Sequence, residues 1–597
     1  MEEGDIHCYD PTKKQRLNAM DLISDLPDTI IHHIMSFLTN LEVTTLSILS
    51  KRFFNLWCSF PVIQFDHETF SRRCYGMPAY ETDGFLDHVH NSILLRRIRT
   101  DLSEFRVSAN LTGISTDLRF DLAISIVLAN GVGRIELNLG SLAKYLLPTN
   151  FASKSLNVLK LEGLQLDLCN LIQVCPSLRT VSLKSCANLE DIDLSSKALT
   201  EIEFYSCSVD YIKINAPNLH LFHFQASNKD PEPCHIDVLQ CQNIMYLSLN
   251  NVVNGCDWIA EHVSALNKLK TFILKGCRDI DHITVRNEKL ERVVICHCSV
   301  LTSIVVKATS LETFLFERAD QSQIRNITFL TSKYIRDLSI KGAALVTDQW
   351  LEAQLVKMTH LKSLRLTDCN SLKDIKVCHE KLQILELNSC HGLVEANIDT
   401  PQLVSFMYQG NMIEFAKMVT SSTCTTTLSI NRWLAYDNAT FFRWRELLSF
   451  FGHCKALKLI CSTQEEMMIP ELHRERLVSP LYDLQHLEIQ IKSLEKIDID
   501  LVDSLLWLSP LLKTLHISSG CCSQLKMIIK FLHRDLIDGE EDTNPFCCVS
   551  KPIKCWKHNL KRLEIQSGDV STKNGSSDLQ EYFLSNKTSD LLCFSLV

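Results

Sequence analysis

The chain lacks both a basic surplus and long apolar runs. Its 597 residues carry 61 Lys and Arg against 70 Asp and Glu, which gives a formal net charge of −9 at pH 7. Nucleic-acid-binding surfaces usually leave a clearly basic balance, so the charge argues against that class of protein. No run approaches the roughly 18 apolar residues of a membrane span, and the first residues are polar and acidic, unlike a secretory signal. We therefore expect a protein of the cytoplasm and/or nucleus that binds neither nucleic acid nor membrane.

Motifs of catalysis are missing as well. The sequence contains no G-x-x-x-x-G-K-[ST], no H-E-x-x-H and no G-x-S-x-G, and Gly131-Val132-Gly133 lacks the third glycine of a dinucleotide fingerprint. The 21 histidines are scattered along the chain. We therefore expect no catalytic residues, no cofactor and no intrinsic enzyme activity.

The 25 cysteines include no C-x-x-C pair, a spacing typical of zinc sites and redox motifs. Without a secretory signal, disulfides are not expected either. The best candidates for metal ligands are Cys296-His297-Cys298, Cys521-Cys522 and Cys547-Cys548. In an extended segment, neighbouring side chains point to opposite faces, so the first of these is not expected to surround an ion. We expect structural cysteines and no metal.

Three short amphipathic helices are predicted near the N-terminus. Pro27 and Asp28 suit the first turn of a helix. An apolar stripe then recurs at spacings of three, four and seven, formed by Leu26, Ile30, Ile31, Ile34, Phe37 and Leu38. A second helix is expected through Val43, Leu46 and Leu49. Ser50 is expected to cap a third helix, with Phe53, Leu56 and Trp57 on one face, and Lys51, Arg52 and Asn55 pointing away.

This stretch resembles the F-box of plant proteins, a helical module that docks onto a Skp-type adaptor. The matching positions follow the order of the family pattern at nearly its spacing: Leu26-Pro27-Asp28, Ile34, Ser36-Phe37-Leu38, Ser47-Ile48-Leu49-Ser50-Lys51-Arg52-Phe53 and Leu56-Trp57. One position departs from the pattern, because the family most often has tryptophan directly after Lys-Arg, where this chain has Phe53. We expect weaker packing at that position and retained docking.

Farther along the chain, a frame of the form L-x-x-L-x-L-x-x-C recurs, with other apolar residues replacing some leucines. Its cysteines are Cys186, Cys207, Cys277, Cys298, Cys369 and Cys390. The frame recurs without cysteine from Leu156, Leu219, Ile244, Leu311, Ile335 and Leu403. This is a leucine-rich-repeat signature, and each repeat supplies one short strand that must stack on its neighbours. We predict an α/β fold: a leucine-rich-repeat solenoid with a curved parallel sheet, preceded by the three-helix F-box. The cysteines are expected to be small buried side chains at the corner after each strand, where they fill space and satisfy a backbone group.

The repeats are expected to start before this regular run and to become irregular after it. Strands are predicted at 102–107 and 135–139, around a helix at 117–130 that carries Leu118, Leu122, Ile126 and Ala129 at helical spacing and ends at Gly131. Beyond residue 410, we predict an amphipathic helix over 440–453, and then strands at 457–459, 484–489, 512–517 and 560–565.

The last part of the chain resembles the C-terminal, FBD-like region of plant F-box proteins with leucine-rich repeats. The resemblance lies in Phe442-Arg443-Trp444-Arg445-Glu446-Leu447-Leu448, Cys454-Lys455-Ala456-Leu457-Lys458-Leu459, Leu501-Val502-Asp503-Ser504-Leu505-Leu506-Trp507 and Cys555-Trp556-Lys557-His558-Asn559-Leu560-Lys561. We predict a flexible tail at 1–20, the F-box at 21–66, a helical connector at 67–100, the solenoid at 101–410 and the FBD-like region at 411–597.

The resemblance implies a substrate receptor of an SCF-type ubiquitin ligase. The F-box would join a Skp-type adaptor, and through it cullin and RING subunits, while the repeats bind a target protein. For the adaptor interface we select Leu26, Pro27, Ile30, Ile34, Leu49, Phe53, Leu56 and Trp57, some of which must instead hold the three helices together. If Trp57 is an anchor, truncating it to alanine should cost on the order of 2 kcal/mol of binding energy. The alternatives are a repeat scaffold that assembles no ligase, and a nucleic-acid regulator, which the acidic balance disfavours.

The target-binding residues are not identified by the sequence. Exposed positions of the predicted strands alternate with the buried leucines and are candidates for the concave groove: Arg179, Lys184, Glu201, Glu203, Lys270, Lys275, Arg292, Lys362, Arg365 and Glu386. Their charges are mixed, so no class of ligand stands out.

Overall fold

A computed structural model describes most of the chain. The described residues are 23, 26–72, 81–96, 102–227, 234–253, 255–320, 323–421, 423–430, 438–469, 478–494, 496–520, 526–533, 560–567, 579, 581–585 and 593–596. They fall into two compact units, Met1–Asn218 and Leu219–Val597. The tail predicted at 1–20 and the pairs Cys521-Cys522 and Cys547-Cys548 lie outside the described residues.

The helices are short and lie before or between strands. In the first unit they are α1 (Asp28–Met35), α2 (Asn40–Leu46), α3 (Lys51–Ser59), α4 (His67–Ser71), α5 (Glu81–Arg96), α6 (Leu118–Ala129) and α7 (Leu168–Val174). In the second unit they are α8 (Cys256–Ala265), α9 (Asp348–Lys357), α10 (Asn438–Ser449) and α11 (Ile499–Leu508). No helix among the described residues is long and apolar enough to span a membrane.

The first unit is built on a parallel sheet. Its strands are β1 (Val62–Asp66), β2 (Glu104–Ser108), β3 (Arg134–Asn138), β4 (Tyr145–Leu146), β5 (Val158–Glu162), β6 (Leu164–Gln165), β7 (Thr180–Lys184), β8 (Asp191–Ser195), β9 (Glu201–Cys207) and β10 (Tyr211–Asn215). The main sheet runs β1-β2-β3-β5-β7-β9, and every neighbouring pair in it is parallel. Two further pairs, β4 with β6 and β8 with β10, are also parallel.

The second unit repeats the same construction. Its first strands are β11 (Leu221–Ala226), β12 (His235–Asp237), β13 (Tyr246–Asn250), β14 (Thr271–Lys275), β15 (His282–Arg286), β16 (Arg292–Cys296), β17 (Ser303–Lys307), β18 (Thr313–Glu317), β19 (Asn326–Thr331), β20 (Asp337–Lys341), β21 (Ser363–Thr367) and β22 (Asp374–Cys378). They are followed by β23 (Ile384–Asn388), β24 (Glu395–Asp399), β25 (Ser405–Gly410), β26 (Glu414–Val419), β27 (Thr425–Ile430), β28 (Ala456–Cys461), β29 (His486–Ile491), β30 (Thr514–Ser519), β31 (Lys526–His533), β32 (Leu560–Ser567) and β33 (Cys593–Leu596).

One long sheet connects most of these strands. It is parallel along β11-β13-β14-β16-β18-β20-β21-β23-β25-β27-β28-β29-β30, and β31 then pairs antiparallel with both β30 and β32. Return segments form two smaller parallel sheets, β15-β17-β19 and β22-β24-β26. The predicted solenoid of parallel strands after a three-helix module is therefore confirmed, and the parallel sheet continues past residue 410.

The repeat frame sets the register of the sheet. Leu338, Leu364 and Leu385 lie side by side on β20, β21 and β23 and are at most 1% exposed. Side chains alternate between the two faces of a strand, so apolar residues two apart line one buried face. Each strand alone leaves that face in water, and stacking the repeats buries it.

The corner after each strand has a repeated backbone conformation. The residue before each cysteine of the frame has a positive φ, and these residues are Ser185, Ser206, Gly276, His297, Asp368 and Ser389. The cysteine thiol then donates to carbonyl groups, as Cys207 does to those of Leu183 and Tyr205, both at 3.5 Å. The prediction that these cysteines fill the corner and satisfy backbone groups is confirmed at Cys186, Cys207, Cys369 and Cys390.

The structure corrects three expectations. Helix α6 forms, but its buried face carries Phe120, Ala123, Ile124, Val127 and Leu128, whereas Leu118 is 80% and Leu122 is 53% exposed. Several return segments, for which no strand was predicted, are strands that alternate apolar and polar residues. Finally, Cys296-His297-Cys298 is not extended, because His297 has a φ of 55° and both cysteines are buried.

Candidate adaptor-binding surface

The first helix of the N-terminal module begins at a proline. Pro27 precedes α1 with a φ of −57°, which suits its ring, and Asp28 lies in the first turn, where a negative charge favours the helix dipole. Arg52 at the start of α3 donates to Asp28 Oδ1 at 2.8 Å and also to the carbonyl of Leu26. Arg52 was predicted to point away from the module, but it ties α3 to the start of α1.

The second and third helices have capping residues of their own. Thr39 accepts from the backbone N–H of Glu42, whose carboxylate accepts from the Thr39 N–H at 2.8 Å, a capping box. The pKa of the Glu42 carboxyl is lowered, mainly because the backbone N–H of Thr39 donates to it and stabilises its charged form. Ser50 Oγ accepts from the backbone N–H of Phe53 at 3.2 Å, so the predicted cap of α3 is confirmed.

The three helices share a small apolar core. It consists of Ile31, Met35, Val43, Phe53, Leu56, Trp57 and Phe60, with Leu26, Leu38 and Leu46 packed against it. His32 joins this core from α1, since its Nε2 lies 3.1 Å from the carbonyl oxygen of Leu56. The predicted apolar stripe of α1 is therefore two stripes, of which only the one with Ile31 and Met35 is buried.

The other stripe of α1 faces solvent. Ile30 is 45%, Ile34 is 40% and Phe37 is 76% exposed, and the Phe37 ring lies 4.9 Å from that of His33. Residues 30, 33 and 34 share one side of α1, because spacings of three and four return to the same face. Phe37 follows α1 in a turn, where its backbone N–H donates to the carbonyl of Ile34 at 3.1 Å. We call Ile30, Ile34 and Phe37 the exposed stripe. Two further apolar residues, Ile48 (81%) and Leu49 (65%), are exposed before α3.

The eight residues selected for adaptor binding thus fall into two groups. Pro27, Ile30, Ile34 and Leu49 are exposed, and Leu26 is half-buried. Phe53, Leu56 and Trp57 are at most 6% exposed and hold the helices together. The sequence analysis did not select Phe37 or Ile48 for adaptor binding, although both are apolar and neither belongs to the buried core.

Trp57 also joins the module to the first strand of the sheet. The Arg96 guanidinium of α5 lies 4.5 Å from the centre of the Trp57 ring, and Arg96 Nη1 donates to the carbonyl of Val62 in β1 at 3.3 Å. Burial lowers the pKa of Arg96 to about 10, so the guanidinium stays charged at neutral pH. The N-terminal module is therefore packed directly onto the first unit of repeats.

Charged residues form pairs on the face of the main sheet that is opposite to the buried leucines, which we call the outward face. Of the ten groove candidates, the ones on strands are Lys184, Glu201, Glu203, Lys275, Arg292, Arg365 and Glu386. The placement on strands is wrong for Arg179, Lys270 and Lys362, which precede them. Opposite charges on neighbouring repeats pair, as in Arg365 with Glu386 at 3.0 Å and Lys184 with Glu162 at 3.0 Å. Such exposed pairs contribute little to stability, but they leave neither sign in excess.

Comparisons with known proteins agree with these two parts. The family model of the F-box domain matches residues 23–65, and the one described as "At1g61320/AtMIF1, LRR domain" matches residues 325–531. F-box/LRR-repeat protein 25 of Arabidopsis thaliana is 29% identical over 242 residues, which cover 35% of this chain and 87% of that protein. F-box/LRR-repeat protein At4g14103 of Arabidopsis thaliana is 25% identical over 343 residues, which cover 52% of this chain and 84% of that protein.

A solved structure overlaps much of the chain at low similarity. The functional domain of InlJ from Listeria monocytogenes aligns with 72% of this chain and 87% of its own, with a TM-score of 0.30 and 13% identity. That TM-score is too low to carry an argument about function.

Proposed function

From a chain that combines an F-box domain with a leucine-rich-repeat domain, we propose a non-catalytic substrate receptor of an SCF-type ubiquitin ligase. The F-box binds a Skp-type adaptor, which brings cullin and RING subunits, and the repeats bind the protein to be ubiquitinated. Catalysis by the other subunits is then accelerated because target and ubiquitin-conjugating enzyme are held close together. We propose that the protein does this in the cytoplasm and/or nucleus.

The observation that carries the adaptor proposal is the exposed stripe of α1. A helix that only covered the core would keep polar residues on its solvent side, but Ile30, Ile34 and Phe37 are 40% or more exposed. Contiguous exposed apolar residues are typical of surfaces that bind another protein. We therefore assign adaptor contact to the exposed stripe with Pro27 and Leu49, and we assign Phe53, Leu56 and Trp57 to support of that surface.

For the target, we propose the outward face of the parallel sheet in the repeats. On β14, β16 and β18, the apolar residues Ile273, Val294 and Leu315 lie in register in the middle of this face. They are bordered by charged residues such as Arg292 and Glu317, so that an apolar strip has a polar rim, the arrangement found in protein interfaces.

The test is co-purification of the full chain with a Skp-type adaptor and cullin. The double variant Ile34→Glu/Phe37→Glu places two charges on the exposed stripe without touching the buried core, so we expect at least about a hundredfold weaker adaptor binding. The matched control is Leu118→Glu/Leu122→Glu, which changes two exposed apolar residues of α6 in the same unit. It should bind the adaptor as the parent does.

The same experiment separates the two candidate functions. A repeat scaffold that assembles no ligase needs no adaptor, so failure of the parent chain to co-purify would favour the scaffold. Equal binding by the parent and by Ile34→Glu/Phe37→Glu would instead contradict the assignment of the surface. The double variant Leu26→Ala/Pro27→Ala adds a test of the start of α1.

A further inference from the structure

We propose that Cys256, Asp281 and His282 form a binding site for a zinc-class divalent cation on the second unit. These three residues offer a thiol, a carboxylate and an imidazole whose ligand atoms all lie within 4.8 Å of one another. Asp281 Oδ1 is 3.0 Å from Cys256 Sγ and 2.8 Å from His282 Nδ1. None of these side chains belongs to the F-box or to the outward face of the main sheet discussed above.

The backbone holds all three residues in place. His282 begins β15 and lies opposite Ser303 of β17, while the carbonyl of Asp281 accepts from the backbone N–H of Thr302 at 2.7 Å and from its hydroxyl at 2.9 Å. Cys256 is the first residue of α8, a helix anchored by the indole N–H of Trp258, which donates to the carbonyl of Ile236 at 2.7 Å. Ligands carried on paired strands and an anchored helix lose little freedom when an ion binds.

The distances suit a small tetrahedral ion. With the Zn–S, Zn–N and Zn–O bond lengths of about 2.3, 2.1 and 2.0 Å, tetrahedral ligand atoms lie about 3.3–3.6 Å apart. The two observed separations are shorter, as expected of hydrogen bonds that an ion would replace. Because the Asp281 and His282 side chains are 68% and 56% exposed, small rotations suffice to open the set.

The donor set and the surroundings select the class of ion. Thiolate and imidazole favour zinc, cobalt and copper, whereas magnesium and calcium prefer oxygen ligands alone. The exposed side chains of Asp281 and His282 leave the site open, so an ion can approach from solvent. On binding, the sulfur–metal bond forms, the Cys256 thiol proton is released to water, and a water molecule completes the fourth position.

The experiment titrates the full, tag-free chain with Co²⁺, a spectroscopic substitute for Zn²⁺. We expect thiolate-to-cobalt absorption that saturates at one ion per chain and disappears when Zn²⁺ is added. Cys256→Ser should abolish this absorption, and His282→Gln should weaken Co²⁺ binding at least about tenfold. The matched control is Cys378→Ser, which removes an exposed thiol on β22 and should leave the titration unchanged.

Two results would overturn the site. One is a parent chain that gives no thiolate-to-cobalt absorption, which would leave the three side chains as a hydrogen-bonded cluster. The other is absorption that persists in Cys256→Ser and so arises from different cysteines. Circular dichroism of the variants shows whether the fold is retained, since the changed side chains are at least partly exposed.

Discussion

At the scale of single residues, the corners of the repeats follow a rule that the sequence displays but that the repeat frame does not include. In many repeats, the residue at the end of the main-sheet strand or directly after it takes a left-handed φ, whether it is Ser, Asn, Asp, His or Gly. Left-handed backbone costs an ordinary L-residue roughly 1–2 kcal/mol, so small polar residues and glycine are favoured there. That preference was visible at Gly276 and Asp368. The expectation of an extended Cys296-His297-Cys298 failed because it ignored this corner.

Gly163 shows how strongly such a corner constrains the side chain. Its φ is 77°, and a Cβ built on it would lie 2.0 Å from the carbonyl oxygen of Gly140 in the preceding repeat. That oxygen cannot easily move, because it accepts from the backbone N–H of Ala143 at 3.0 Å. We expect Gly163→Ala to destabilise the chain by about 2–5 kcal/mol, the sum of backbone strain and overpacking.

The control for this prediction is Gly113→Ala. Gly113 also has a positive φ, of 89°, but nothing lies within 4 Å of an added Cβ. It should therefore lose only about 1 kcal/mol from backbone strain. Urea unfolding followed by circular dichroism measures both variants, and equal losses would show that the close approach to Gly140 is not the cause.

At the scale of elements, the three N-terminal helices were predicted, together with the Ser50 cap of the third, but the division of their apolar residues was not. Spacings of three, four and seven identify an amphipathic helix, yet Ile30 and Ile31 are adjacent and 100° apart around α1. Which of them is buried depends on how α3 packs, and that is set by contacts such as His32 with Leu56. The same limit explains α6, where the predicted face was displaced because a helix that is apolar on most sides carries no clear signal.

Trp57 tests the role of the buried group in α3. It is 6% exposed and lies beneath the Arg96 guanidinium, so Trp57→Ala should destabilise the N-terminal module by about 3–5 kcal/mol. We thus expect its loss of adaptor binding to follow from unfolding of α3, whereas the interface anchor considered from the sequence would leave the module intact.

The matched change is Phe54→Ala, in a residue of the same helix that is 43% exposed. It should cost less than about 1 kcal/mol, as exposed substitutions usually do. Thermal unfolding and adaptor binding are measured on the same samples. If Trp57→Ala lowered adaptor affinity with an unchanged unfolding midpoint, Trp57 would have to be an anchor after all.

At the scale of the whole molecule, the sequence predicted the parallel strands well because the leucine frame fixes both their spacing and their buried face. Leu457, Leu487 and Leu515 were assigned to strands even where the spacing widens, and β28, β29 and β30 contain them. The antiparallel β31 and the small sheets of the return segments were missed. Their short alternating runs, such as Asp191–Ser195, carry no frame, so their pairing depends on neighbouring repeats rather than on local sequence.

Stability of the second unit should depend on pH through buried and partly buried imidazoles in different repeats. The pKa values of His262, His379 and His533 are lowered, mainly because burial disfavours the charged imidazolium. His379 shows why the neutral form is required: its Nε2 lies 3.0 Å from the carbonyl of Met358, while its Nδ1 accepts from the backbone N–H of Lys381 at 3.2 Å. A proton on Nδ1 would remove that second bond and place a charge in the core.

The sign of the effect follows from linkage. In the unfolded chain the pKa of an imidazole is about 6.5, and in the folded chain the pKa values of these three are lower. Below about pH 6.5 the unfolded state therefore binds more protons than the folded state. The contribution of these imidazoles to the free energy of unfolding is therefore complete above that pH. It is lost as the pH drops through the pKa values of the folded state. Carboxylates with lowered pKa, such as Asp117 and Glu465, act in a separate window below about pH 4.5.

We therefore expect the midpoint of thermal unfolding to fall between pH 7.5 and pH 5.5, and His379→Gln to lower the midpoint at pH 7.5 but reduce its dependence on pH. The glutamine amide can donate and accept, yet it gains no proton in this range. The control is His391→Gln, at an exposed position of the next repeat, which changes no side chain of the core and should keep the slope of the parent. Equal slopes for the parent and His379→Gln would show that acid weakens the repeats through other groups, and the two other imidazoles with lowered pKa named above, His262 and His533, would then be changed in turn.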